Sequence, residues 1–185
     1  VYIACGWSNN YPMATSFDGI TWNYNTNYKF ATTGLQTGYC LIFDGSRYIF
    51  AGGASTTSSS PSNIVISQDG ITWDDTNKIY LPFDVRSIAY NGIDTYVACG
   101  EKNGFIDGVI FYYWSNDLIN WTPANNKLIG NGWFIVWNGT YFVIGGSPLA
   151  GSTVNIIYST DGKNWTASDN TQITSRVWGI SSITY

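Results

Sequence analysis

Ser67-Gln68-Asp69-Gly70-Ile71-Thr72-Trp73 is one of four near-copies of a single heptapeptide, and the architecture follows from that repetition. The others are Ser16-Phe17-Asp18-Gly19-Ile20-Thr21-Trp22, Ser115-Asn116-Asp117-Leu118-Ile119-Asn120-Trp121 and Ser159-Thr160-Asp161-Gly162-Lys163-Asn164-Trp165. Their aspartates stand 51, 48 and 44 residues apart (18 to 69, 69 to 117, 117 to 161). Spacings in this range match one supersecondary unit per repeat.

Four short apolar segments surround each heptapeptide. The first ends in an aromatic: Phe43, Tyr90, Trp137 and Tyr185. In the three interior copies a turn pair follows at once, Asp44-Gly45, Asn91-Gly92 or Asn138-Gly139, and such pairs accept the positive φ of a tight hairpin. The second segment runs from Tyr to Gly at residues 2–6, 48–52, 96–100 and 141–145. The third leads into the Ser of the heptapeptide, and the fourth carries its Trp. No apolar 3.6-residue period survives beyond a turn, so helix is not expected. The first-to-second and third-to-fourth links are short, whereas the other links are long and variable. In an up-and-down sheet, alternate links lie at opposite ends. One end is therefore uniform and the other carries the variation.

These features predict an all-β chain, a β-propeller of four-stranded antiparallel blades, with four blades in residues 1–185 as one domain. The chain opens on a second segment and closes on a first. The N-terminal and C-terminal strands are therefore expected to share one composite blade and leave no open edge. The alternative is four consecutive blades of a longer ring, or of one shared between chains.

Charged residues make up 11% of the chain, well under the usual quarter or so, and the net charge is −4. Nucleic acid requires a basic face, which this composition does not supply. No apolar run is long enough for a membrane-spanning helix. Cys5 and Cys99 occupy the same place in two repeats and read as small core residues, not as a disulfide.

The heptapeptide resembles a shortened Asp-box, or BNR repeat, over essentially the whole chain. That resemblance implies that Ser16, Asp18, Trp22, Ser67, Asp69, Trp73, Ser115, Asp117, Trp121, Ser159, Asp161 and Trp165 are structural. In families with this motif it closes a hairpin at the blade periphery, away from the active site, and the resemblance implies the same placement here. Leu118 departs from the pattern by replacing Gly, so its turn is expected to bend differently or widen. Sialidases share the Asp-box, and their chemistry needs an arginine triad, a Tyr–Glu nucleophile and an acid. This chain has only Arg47, Arg86 and Arg176, with Glu101 its one glutamate, and Arg47 falls at the uniform end. A sialidase-like glycosidase is the weakest of three functional readings.

No histidine is present, which removes His-dependent nucleophile systems and His metal sites. No cofactor or metal is expected, and Asp74-Asp75 reads as a solvated loop pair. Asn120, Asn138 and Asn164 match the glycosylation acceptor pattern, though two of them arise from the repeat itself. The variable end is the place for a ligand, since loops on a rigid scaffold carry most function. Four residues before each first-segment aromatic stand Tyr39, Arg86, Trp133 and Ser181, which differ from copy to copy. Trp7, Tyr11, Tyr28, Glu101, Asn103 and Phe105 come from neighbouring connectors.

The leading expectation is a non-catalytic scaffold or protein-interaction module, capable of self-association or of sharing a ring. Similar short repeats in viral, phage-tail and secreted bacterial proteins point to an extracellular or virion-associated setting. A lectin-like glycan-binding propeller is the alternative.

Overall fold

A computed structural model describes residues 1–8, 11–26, 36–53, 62–101, 109–169, 173 and 176–179, leaving aside the side chains of 8, 36 and 74–78. Tyr28, Asn103, Phe105, Ser181 and the strand expected at 182–185 lie outside the described residues. So does the pairing by which this strand was expected to complete the N-terminal sheet.

The described residues contain strands and turns and no helix. They form two compact units, Val1–Val85 and Arg86–Tyr185, each holding two consecutive repeats. In the first unit, β1 (Tyr2–Cys5), β3 (Met13–Ser16) and β4 (Asn23–Tyr24) make a three-stranded antiparallel sheet. Beside it β5 (Gln36–Phe43), β6 (Tyr48–Gly53), β7 (Ile64–Ser67) and β8 (Asp74–Ile79) follow in chain order. The two-residue β2 (Trp7–Ser8) adds to the β5 edge, pairing Trp7 with Thr37. The second unit holds two four-stranded meanders. One runs β9 (Asp84–Tyr90), β10 (Tyr96–Glu101), β11 (Tyr112–Ser115), β12 (Thr122–Pro123). The other runs β13 (Ile129–Trp137), β14 (Phe142–Pro148), β15 (Ile156–Ser159), β16 (Thr166–Ala167).

Local chemistry explains the register. The first hairpins are stapled by a side-chain oxygen at their corner. Asp44 Oδ1 accepts from the N–H groups of Ser46 and Arg47 at 2.8 and 2.7 Å, and Asn91 and Asn138 do the same work in the next two repeats. Gly45, Gly92 and Gly139 supply φ of 101°, 79° and 95°. Cross-strand aromatics then lock each hairpin: Phe43–Tyr48 at 4.7 Å, Tyr90–Tyr96 at 4.3 Å and Trp137–Phe142 at 4.7 Å.

The segment edges need three corrections. The first strands begin several residues earlier than expected. The fourth strands start just after the Trp, which belongs to the turn. In the last repeat the second strand begins at Phe142, not Tyr141, because Phe142 faces Ser159 as Tyr48 faces Ser67. Gly146, not Gly145, is thus the counterpart of Gly52. Asp74 and Asp75, expected in a loop, open β8.

The two units share an internal design. Four glycine N–H groups, of Gly6, Gly52, Gly100 and Gly146, donate to the carbonyls of Pro12, Asn63, Phe111 and Asn155. Between sheets, the cysteines do the packing: a Cβ on Gly38 would meet Cys5 Cβ at 3.1 Å, and one on Gly132 would meet Cys99 Cβ at 2.7 Å. Each equivalent cysteine therefore lies against a glycine on the next repeat's first strand. No disulfide joins Cys5 to Cys99, as expected; Cys99 is fully buried, and Cys5 and Cys40 are partly so. The second unit's core gathers Val97, Tyr112, Ile129, Phe142, Ile144, Ile157 and Trp165; the first unit's gathers Met13, Phe50, Val65 and Trp73.

Candidate functional site

The four Ser-Asp-Trp turns have one geometry. In each, the Ser hydroxyl donates to Asp Oδ1 at 2.9–3.0 Å. The same Oδ1 accepts the backbone N–H groups two and three residues on: Ile20 and Thr21, Ile71 and Thr72, Ile119 and Asn120, Lys163 and Asn164, all at 2.7–2.8 Å. The residue after Asp donates its N–H back to the Ser oxygen. These bonds favour the ionised carboxylate. The Thr72, Ile71 and Ser67 donors hold Asp69 at about 2, and the backbone and side chain of Asn120 hold Asp117 at about 2. Burial pushes Asp161 up, but the donors from Asn164, Lys163 and Ser159 outweigh it and bring it to about 2. Asp18 is likewise held below the ordinary range by Thr21, Ile20 and Ser16.

Leu118 does not widen its turn. It takes φ 69°, beside 72–77° for Gly19, Gly70 and Gly162, and makes the same bonds. Its side chain is fully buried, which offsets the left-handed strain. Trp22, Trp121 and Trp165 donate Nε1–H to the carbonyl of the residue three before them. Trp73 turns its ring edge-on to Phe50 at 5.9 Å, and its buried Nε1 has no partner among the described residues.

Asn120 and Asn164 donate their side-chain N–H to the Asp of their own turn at 2.7 and 2.8 Å, so both acceptor-pattern amides are engaged. A cleft of about 550 Å³ lies beside the second turn, lined in part by Arg47, Gln68, Asp69 and Trp73. Its charges are already engaged: Arg47 Nε pairs with Asp44 at 3.0 Å, and Asp69 serves its own turn.

At the other end of the strands, the residues that vary between repeats gather in two places. In the first unit, Trp7 and Tyr11 join Tyr24 around a cleft of about 220 Å³ that also touches Cys5, Gly6 and Pro12. The Tyr11 and Tyr24 rings lie 6.1 Å apart, and Trp7 and Tyr24 are largely exposed. Tyr39 sits at the β-bulge between Gly38 and Cys40. Tyr24 was not foreseen.

In the second unit, Arg86, Glu101 and Trp133 come together. Arg86 and Glu101 form a half-buried ion pair and hydrogen bond. The Arg86 guanidinium carbon lies 5.4 Å from the Trp133 ring centroid. Trp133 occupies the β-bulge between Gly132 and Phe134, and its Nε1 donates to buried Ser147 Oγ at 3.0 Å. Two further residues complete the row. Trp178 packs on Trp133 at 4.9 Å, tilted by 35°, and the Arg176 guanidinium carbon stands 5.9 Å from the Trp178 centroid. This arrangement is a cation–aromatic ladder, closed by a carboxylate at one end and exposed at the other. Arg176 and Trp178 were missed as site residues because the sequences of these connectors vary from repeat to repeat. Their i, i+2 spacing was the available signal, since such spacing sets two side chains on one side wherever a chain runs extended.

A scan against protein-family models finds no match to this chain, and a search of curated proteins finds none either.

Proposed function

We propose that the chain is a non-catalytic binding and assembly module. It is read as a β-propeller whose Ser-Asp-Trp turns are structural and whose variable strand ends meet a protein partner. The observation that supports this reading is that each of the four aspartates serves its own turn: each Oδ1 accepts three donors from within the heptapeptide, a structural use of the carboxylate. Fewer charges and many aromatics suit a surface that is read by contact and not by long-range steering. A setting on a cell surface or virion belongs to the same proposal.

A second reading, a lectin-like module, is favoured by the exposed Trp178 beside Trp133 and two guanidinium groups. Probing a glycan array with the chain, with fluorogenic glycosides assayed in parallel, separates the alternatives. Selective retention without turnover supports the lectin, and silence on both supports the protein-directed module. Turnover of any glycoside contradicts both.

A further inference from the structure

We infer that Trp178 and Arg176 form a subsite for a carboxylated pyranose, a uronic-acid residue within an acidic polysaccharide. The inference rests on the lectin-like reading above and assigns it a place and a chemistry.

Three observations support it. Trp178 is 60% exposed, and its neighbours are tied to the sheet. The N–H of Val177 donates to the Gly146 carbonyl at 3.1 Å, and fully buried Asn155 donates its Nδ2–H to the Ile173 carbonyl at 2.9 Å. Trp133 backs the indole and is itself tethered to Ser147. The ring is thus presented to solvent already packed on Trp133, which lowers the ordering cost of binding.

The charges are also unevenly spent. Glu101 neutralises Arg86 inside the ladder, whereas Arg176 pairs with no carboxylate among the described residues. The outer end therefore offers one uncompensated guanidinium against one exposed aromatic. A pyranose presents C–H groups on one face, which suit an indole. A carboxylate on its rim matches the two parallel N–H donors of a guanidinium. A neutral sugar uses only half of this pair, and an acidic peptide lacks the flat ring.

The test is a titration of the full chain, read by tryptophan fluorescence and calorimetry. The probes are oligogalacturonate, its methyl ester and a glutamate-rich peptide. The free acid is expected to bind saturably and at least about fivefold more tightly than the ester. Arg176→Gln should erase that preference. Trp178→Ala should weaken binding of both sugars at least about tenfold while leaving the melting temperature near that of the parent, since the ring is exposed. Equal binding of ester and acid overturns the inference, as do equal binding of the peptide and undiminished binding by Trp178→Ala. Selective glycan binding that ignores Trp178 removes this site but keeps the lectin reading. The absence of any glycan binding on the array removes both.

Discussion

Leu118 holds a left-handed backbone with a fully buried side chain, and the two facts pull its energy in opposite directions. The backbone costs about 1–2 kcal/mol, while burying a leucine contributes about 1.5–3 kcal/mol, and a cavity would add to the loss. Leu118→Gly is therefore expected to destabilise by about 1–3 kcal/mol in urea unfolding, although it restores the repeat consensus. A stabilised variant would show that the strain dominates. The aspartates give a pH dependence with a definite sign. Asp69, Asp117 and Asp161 titrate near 2 in the folded chain, against about 3.9 when unfolded. The folded state thus binds fewer protons between those values. Their contribution is fully present above about pH 4 and is lost as pH falls towards 2. Carboxylate carbon shifts followed by NMR should give midpoints near 2, and midpoints near 4 would contradict the turn geometry. These turns were legible in the sequence because every bond spans three residues or fewer. Leu118 was misread because the glycine rule was applied without asking what a side chain there would bury.

Strand positions depend on contacts far apart in the sequence, and these were harder to read. The shift from Tyr141 to Phe142 arises because Tyr141 to Gly145 and Phe142 to Gly146 both run from an aromatic to a glycine, and only pairing with Ser159 separates them. Gly146 has its own requirement: a Cβ there would sit 1.9 Å from the Asn131 carbonyl oxygen, as one on Gly52 would from that of Thr37. Gly52→Ala and Gly146→Ala are expected to cost about 3 kcal/mol or more, measured by chemical denaturation, while Gly139→Ala, with open space around it, pays only for its positive φ. Tyr112 anchors the connector before β13. Its buried hydroxyl donates to the Asn126 carbonyl at 2.7 Å and accepts the Leu128 N–H at 2.9 Å, and burial pushes its pKa up to about 12. Tyr112→Phe should cost about 1–3 kcal/mol, because it leaves two backbone groups without their partner. Neither Asn63 nor Asn155 stood out in the sequence. Each is buried and ties down a later connector, Asn63 through the Leu81 and Phe83 carbonyls and Asn155 through that of Ile173.

At the scale of the whole molecule, repetition carried the all-β class and the chain-order meanders, because each repeat supplies its own turns and aromatics. It did not carry Arg176 and Trp178, which belong to a connector whose sequence varies between repeats. The ring proposed here predicts a solution mass of one chain and a single cooperative melt. A stable dimer would favour a ring shared between chains. The central claim is that the four carboxylates hold turns together and take no part in binding or turnover. Asp161→Ala tests it most directly, read by melting temperature together with retention on the glycan array and on any partner identified. A melting temperature several degrees lower is expected, from a loss of about 1–2 kcal/mol, with recognition by the folded fraction unchanged. An unchanged melt accompanied by lost binding, or by the loss of a measurable hydrolytic activity, would contradict it.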